Sequence, residues 1–198
     1  MGSLFACLFS YLIGSIPSGL IFGKGIWGID LREHGSHNIG ATNAWRTIGK
    51  PAGLLIFLMD FLKGAVGVGL GSALGSGSPM TLVLCGIAAI VGHSWSLFLG
   101  FKGGKGVATG LGVIAMLMPG VTVLVFLLWF AIVYVTGYVS LGSIVAAAAV
   151  PVIAWCFGAA GAYIGFGVLA AAFIIYRHQA NIGRLMAGTE SKIKAARR

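Results

Sequence analysis

Long apolar runs alternate with a few short polar stretches along this chain. The runs fall at about 2–23, 53–74, 80–99, 106–118, 121–136, 143–157 and 161–177. Runs of this length without regular polar interruption predict helices that cross a membrane rather than helices laid on a soluble core. The segment 106–136 reads either as one long helix or as two passes hinged at Met118-Pro119-Gly120, where proline and glycine together interrupt helix formation.

Charge placement decides between these. Twelve of the thirteen Lys and Arg residues lie in 24–52, 100–105 and the tail from Arg177, whereas 75–79, 119–120 and 158–160 carry none. Gathering the basic segments on one side requires that 106–136 cross twice. The expected architecture is therefore all-α: a polytopic integral membrane protein of seven transmembrane helices, a single domain over 1–198, with the N-terminus outside and the C-terminus cytoplasmic. The 106–118 helix is short for this duty, about 20 Å at 1.5 Å per residue. The opening MGSLFACLFSYLIGSI has neither the basic leader nor the small-residue cleavage site of a signal peptide, and reads as an uncleaved first span.

Composition agrees with this class. The chain is 58% hydrophobic and only 9% charged, against about a quarter charged in soluble domains. Its net charge of +9 would suggest nucleic acid in a soluble protein, but cations confined to loops suit anionic lipid or an anionic substrate, and nucleic acid is not an expected partner. Cys7, Cys85 and Cys156 all lie in apolar segments without CxxC spacing and read as packing residues. Thirty-three glycines suit close packing of helices in lipid.

Three polar segments could carry chemistry. Asp30–Lys50, DLREHGSHNIGATNAWRTIGK, is too polar to span. Around Gly40 successive backbone N–H groups can converge on an anion. Ser36, Thr42 and Asn43 offer side-chain donors, and Arg46 a guanidinium fork that fits phosphate. The competing reading is an interfacial loop anchored by Trp27, Trp45 and Arg46. GHSWSLFLGFKGGKGVATGLG sets Lys102 and Lys105 in a glycine loop before a helix. It is not a Walker A loop, because Leu99 and Gly106 stand where glycine and Ser/Thr would be needed; it is either a phosphate-contacting loop or inward-facing charge on a tight turn. Arg177–Glu190, RHQANIGRLMAGTE, places His178 and Asn181 three residues apart, on one face of a helix. A snorkelling basic helix end is the alternative there.

Asp60 and Lys63, three apart within the second span, are expected to face the bundle interior and read either as a neutralising intrahelical pair or as a brace for the loop above. His93 reads as a hydrogen-bonded packing residue. The chain has no G-x-S-x-G, no H-E-x-x-H, no H-x-x-x-x-D and no carboxylate cluster, so hydrolase and metal chemistry are poorly supported. An anion carrier would also use polar loops and broken helices, but its charges would lie near the midplane and an inverted repeat would be expected. A purely structural scaffold would not need the glycine loops.

Taken together, GSIPSG, REHGSHNIGATNAWR, DFLKG, GHSWSLFLGFKGGKGVATG and NIGRLMAGTE, in this order, resemble the small bacterial membrane acyltransferases that acylate glycerol 3-phosphate from acyl-phosphate. The resemblance spans essentially the whole chain. It implies an inner-membrane enzyme with a cytoplasmic active site, making lysophosphatidate and phosphate without cofactor or metal. It implies that Ser36, Arg46, Lys105, His178 and Asn181 surround glycerol 3-phosphate, with Asn181, His178 and Lys105 the residues closest to the chemistry. It further implies that the backbone of Gly40, Ala41, Thr42 and Asn43, with Gly103, Gly104 and Ser143, cradles the acyl-phosphate head, its tail lying among the helices. An activated mixed anhydride needs no protein nucleophile. Asn181 is then an oxyanion donor or aligner, and the proton of the attacking hydroxyl goes either to a substrate phosphate oxygen or to His178.

Overall fold

The computed structural model describes residues 1–193; Lys194, Arg197 and Arg198, part of the basic tail that orients the chain on sequence grounds, lie outside them. The described residues are all-helical, with ten α-helices and one short 3₁₀ turn, and fall into two compact units divided between Leu117 and Met118. Five segments are long and apolar enough to cross a membrane: Gly2–Trp27, Lys50–Ala73, Pro79–Leu99, Pro119–Thr136 and Val139–Cys156. Gly161–Arg177 with Gln179–Met186 makes a sixth if that pair, bent by 61°, counts as one span. The seventh expected segment is an apolar helix of 11 residues, Val107–Leu117.

In the first unit the opening span is not continuous. Pro17 pushes Ile16 out of the helical region (φ −57°, ψ 118°), separating α1 (Gly2–Ser15) from α2 (Ser18–Trp27). Carbonyls released at such a break have no water to turn to in lipid. The Ser96 hydroxyl donates to Ser15 O at 2.5 Å, and Lys63 Nζ donates to Ile16 O at 3.0 Å. After the polar loop and α3 (Ala41–Thr47) come α4 (Lys50–Ala73), α5 (Pro79–Ser94) and α6 (Val107–Leu117).

These helices meet through small residues that let backbones approach. A Cβ on Gly14 would collide with the Ala89 backbone, which seats α1 on α5, and one on Gly64 would strike the Thr109 carbonyl, which seats α4 on α6. Ser10 Oγ, buried between α1 and α4, lies 2.7 Å from Ala6 O and 2.9 Å from Gly67 O, tying α1 to α4. Beneath the polar loop a small apolar cluster of Leu31, Ala44, Ala52 and Ile56 holds α3 against α4, with Phe22, Trp27 and Ile48 packed around it. That cluster fixes the loop to the end of the second span.

The second unit holds α7 (Pro119–Thr136), α8 (Val139–Cys156), α9 (Gly161–Arg177) and α10 (Gln179–Met186). The sequence hinge at Met118-Pro119-Gly120 is where one helix ends, at Leu117, and the next begins, at Pro119. Gly142 of α8 packs on Trp129 and Val133 of α7. Gly167 of α9 packs on the backbone of Pro151 inside α8. A proline deprives the helix of one N–H donor, and the glycine opposite lets α9 close over that point. The run expected from 143 begins earlier: Ser140–Ser143 lies within the first turns of α8, because Tyr138 takes the N-terminal position.

Candidate functional site

The Asp30–Gly40 loop is built around one buried side chain. Asn43 Nδ2 donates to the carbonyls of Leu31 (3.0 Å), His34 (2.9 Å) and Asn38 (2.8 Å). Its Oδ1 accepts from Ser36 N at 2.9 Å and from Thr47 Oγ1 at 3.3 Å. The amide therefore spends both ends inside the loop, and the side-chain donor expected of Asn43 is a scaffold element. The Gly40 N–H donates to Asn38 Oδ1 at 2.9 Å, and Asn43 N donates to Gly40 O at 3.1 Å. Of the expected Gly40–Asn43 backbone cradle, this leaves the Ala41 and Thr42 amides, which open α3 and have no acceptor within the helix.

Asp30 anchors the same loop. Its carboxylate takes Arg32 Nη2 at 2.7 Å, Arg32 Nε at 3.0 Å and Lys24 Nζ at 2.9 Å. The hydrogen bonds from Arg32 first, with Lys24 adding to them, overcome burial and hold the Asp30 carboxyl well below the usual carboxylate range. Arg32 and Lys24 are about half exposed, so this network orients the guanidinium more than it stabilises the fold.

The glycine loop lies against the first loop. Arg32, Glu33, His37 and Ile39 from one, and Leu99, Lys102 and Gly103 from the other, line a single cavity of about 440 Å³. His37 (φ +56°) and Phe101 (φ +61°) hold left-handed backbone that ordinarily favours glycine, one in each of these two loops. The Gly104 N–H donates to His93 O at 3.1 Å, so the loop is pinned to the end of α5. The first unit thus brings together the loop of Ser36, Gly40–Asn43 and Arg46 with the loop that carries Gly103, Gly104 and Lys105.

In the second unit His178 occupies the bend between α9 and α10, with Nδ1 2.8 Å from Ile174 O. Asn181 follows on α10, and both side chains are buried. Glu190 organises the end of this unit. Its Oε1 accepts from Asn181 Nδ2 at 2.7 Å and from Ser140 Oγ at 2.8 Å, while its Oε2 accepts from Arg184 Nε at 2.7 Å. Burial would raise its carboxyl, but the bonds from Asn181, Ser140 and Arg184 outweigh it and the pKa is lowered. Ser143 is buried on α8, its hydroxyl donating to Val139 O at 2.9 Å and accepting from Trp129 Nε1 at 3.3 Å.

Sequence reasoning assigned no role to Glu190. The available signal was a lone acid in a basic tail, nine residues beyond a buried asparagine, and the Gly188 turn at φ +69° brings it back. Asp60 and Lys63 do pair, at 2.8 Å, and His93 Nδ1 lies 3.6 Å from Asp60 Oδ1. Among the described residues no three His, Cys, Asp or Glu side chains gather as a metal site would require.

Residues 4–188 match the family model described as glycerol-3-phosphate acyltransferase. The chain is 47% identical over 183 residues to a protein of that name from Syntrophomonas wolfei, covering 92% of this chain and 93% of the relative. It is 48% identical over 186 residues to another from Trichlorobacter lovleyi, covering 94% and 95%. In three dimensions it is similar to the crystal structure of PlsY (YgiH), an integral membrane glycerol 3-phosphate acyltransferase, in its glycerol 3-phosphate form. The TM-score there is 0.91 at 41% identity, over 97% of this chain and 96% of that one. The lysophosphatidic acid form of the same enzyme gives 0.89 at 40% identity, over 97% and 95%.

Proposed function

Since the chain belongs to the glycerol-3-phosphate acyltransferase family, we propose that it moves a fatty acyl group from acyl-phosphate to the 1-hydroxyl of glycerol 3-phosphate. The products are lysophosphatidate and inorganic phosphate. The observation that carries this reading is the shared cavity of the two loops, which sets Arg32 and Lys102 beside the Gly103 backbone. Two anionic substrates must be brought together against their own repulsion, and cations with backbone N–H donors do that work.

In this reading Ser36, Arg46, Lys105, His178 and Asn181 bind glycerol 3-phosphate. The backbone at Ala41, Thr42, Gly103 and Gly104 takes the acyl-phosphate head, with Gly40, Asn43 and Ser143 shaping its surroundings. The hydroxyl oxygen attacks the acyl carbon, the bond from that carbon to the phosphate oxygen breaks, and phosphate leaves with the electron pair. The hydroxyl proton passes to a substrate phosphate oxygen, so neither a protein base nor a metal is required. Asn181 steadies the oxyanion, and its bond to Glu190 fixes which edge of the amide carries the N–H groups. Orientation of this kind is worth about 7–11 kcal/mol of barrier in favourable cases, and one oxyanion donor about 3–4 kcal/mol.

The protein works as one domain of seven spans in a bacterial inner membrane, with N-terminus outside and active site facing the cytoplasm. The position of the cations supports this orientation, and α6 relies on neighbouring helices or a locally thinned bilayer to cover its ends.

Purified protein supplied with acyl-phosphate and glycerol 3-phosphate should release phosphate and form lysophosphatidate in detergent, where no transport can occur. Arg46→Ala and Lys105→Ala should raise KM for glycerol 3-phosphate and lower rate, whereas Asn181→Ala should act mainly on kcat. His178→Gln distinguishes the proton routes: an unshifted pH–rate profile with substantial turnover supports the phosphate as acceptor, and loss of the ascending limb makes His178 the base.

A further inference from the structure

Three buried polar residues have no part in the reaction as described: Asp60, Lys63 and His93. They lie next to one another within the first unit. Lys63 Nζ binds Ile16 O at the break in the first span (3.0 Å) and Asp60 Oδ1 (2.8 Å). Asp60 Oδ1 faces His93 Nδ1 at 3.6 Å, beyond hydrogen-bond length. The opposite edge of the ring lies under the glycine loop. A Cβ on Gly104 would fall on His93 Nε2, with Cε1 at 2.7 Å and Cδ2 at 3.1 Å, and a Cβ on Gly103 would strike the His93 carbonyl. Gly104 N–H also donates to that carbonyl.

We propose that His93, beside the Asp60–Lys63 pair, is a positioning residue: its ring is the rest on which Gly104 sits, its carbonyl is the contact for Gly103, and together they set the height of the phosphate-binding loop. The inference builds on the assignment of that loop to substrate. It also explains why Gly104 has no side chain, since the loop rests directly on imidazole. Lys63 reaches the Ile16 carbonyl and so connects the proline break of the first span to the same seat. A rest formed by a planar ring inside packed helices is stiff, because interiors of this density do not yield to small displacements.

The test is a double-mutant cycle on the full-length protein, with acyl-phosphate and glycerol 3-phosphate as substrates. A loop displaced by about 1 Å costs up to about 100-fold, so His93→Ala and Gly104→Ala should each raise KM for acyl-phosphate, whose head this loop is assigned to hold, on the order of 10- to 100-fold, with a smaller change in kcat. The double variant should be no worse than Gly104→Ala alone, because the added methyl enters the space that the ring has left. Multiplicative single effects, or a His93→Ala variant within about twofold of wild-type KM, would overturn the proposal. If His93→Ala does not survive purification, His93→Asn carries the same expectations with Gly104→Ala. A second arm needs no turnover. Hydrogen exchange at Lys102–Gly106 should accelerate at least about tenfold in the His93 variant while α7 and α8 keep their protection; unchanged exchange there refutes the rest. Wild-type protein inactive with acyl-phosphate would sink the donor assignment, and the exchange arm would still decide the role of His93.

Discussion

Replacing Asn43 with aspartate changes one NH₂ group to an oxygen and tests the account of the first loop. Three carbonyls, from Leu31, His34 and Asn38, accept from Nδ2 at 2.8–3.0 Å. The two hydrogens of Nδ2 are shared among these three carbonyls, and alanine also loses the bond from Ser36 N to Oδ1; at about 1 kcal/mol net per bond, Asn43→Ala should cost the closed loop about 3 kcal/mol. Asn43→Asp keeps the shape but points an oxygen lone pair and negative charge at the same three carbonyls, in a side chain only 2% exposed. The cost should then reach about 4 kcal/mol or more, since an unpaired buried charge adds to the lost bonds. At about 1.4 kcal/mol per factor of ten, the open loop becomes on the order of 1000-fold more populated. Trypsin reports this directly, because Arg32 lies within the loop and is tied to Asp30 when the loop is closed. Cleavage after Arg32 in the detergent-solubilised protein should accelerate in the order wild type, Asn43→Ala, Asn43→Asp, following the open population while reclosing is fast. An Asn43→Asp protein cut no faster than the alanine variant would refute the reasoning that those three carbonyls depend on a donor.

Other expectations follow from single contacts. Glu190 titrates below an ordinary glutamate, so the stabilisation from its ionised form is complete above about pH 4.5 and is lost as pH falls through the lower folded value. A thermal melt taken from neutral pH downward should show a steeper decline in the wild type than in Glu190→Gln, which should be less stable at neutral pH and keep only the acid loss that Asp30 contributes in both proteins. Gly64→Ala puts a methyl on the Thr109 carbonyl and should lose about 1–3 kcal/mol of stability. Gly69→Ala, on the same helix with open space around it, should instead gain about 0.5–1 kcal/mol; equal melting shifts in both would show that the α4–α6 seam is not set by close approach.

Apolar length and charge placement were enough to read an all-helical membrane chain, because both are local properties of the sequence. They also located the helix boundary at Met118, where a proline opens the next helix. Two local features went unread. The break at Ile16-Pro17 sits inside a run whose hydropathy alone looks unbroken, and α3 is a short helix whose register depends on the cluster beneath it. At the candidate site the polar residues were visible, but their division of labour was not. Asn43 and Ser36 look alike as donors in a string of letters; only the fold shows that Asn43 Nδ2 is spent on three carbonyls. Glu190 was invisible for a related reason. Its partners Ser140 and Asn181 are fifty and nine residues away, and nothing in the local pattern signals a pairing over such separations.

The ion pair between Asp60 and Lys63 also bears on how such a chain can drift by point substitution. Losing either member alone strands a bare charge in hydrocarbon-packed surroundings, a penalty of roughly 3–5 kcal/mol, and losing the lysine also uncovers the Ile16 carbonyl. Neutral, shape-matched replacements for both would have to arrive nearly at once, so single-step routes away from this arrangement are closed. A descendant that abandons one of the two should already have abandoned the other, or have straightened its first span.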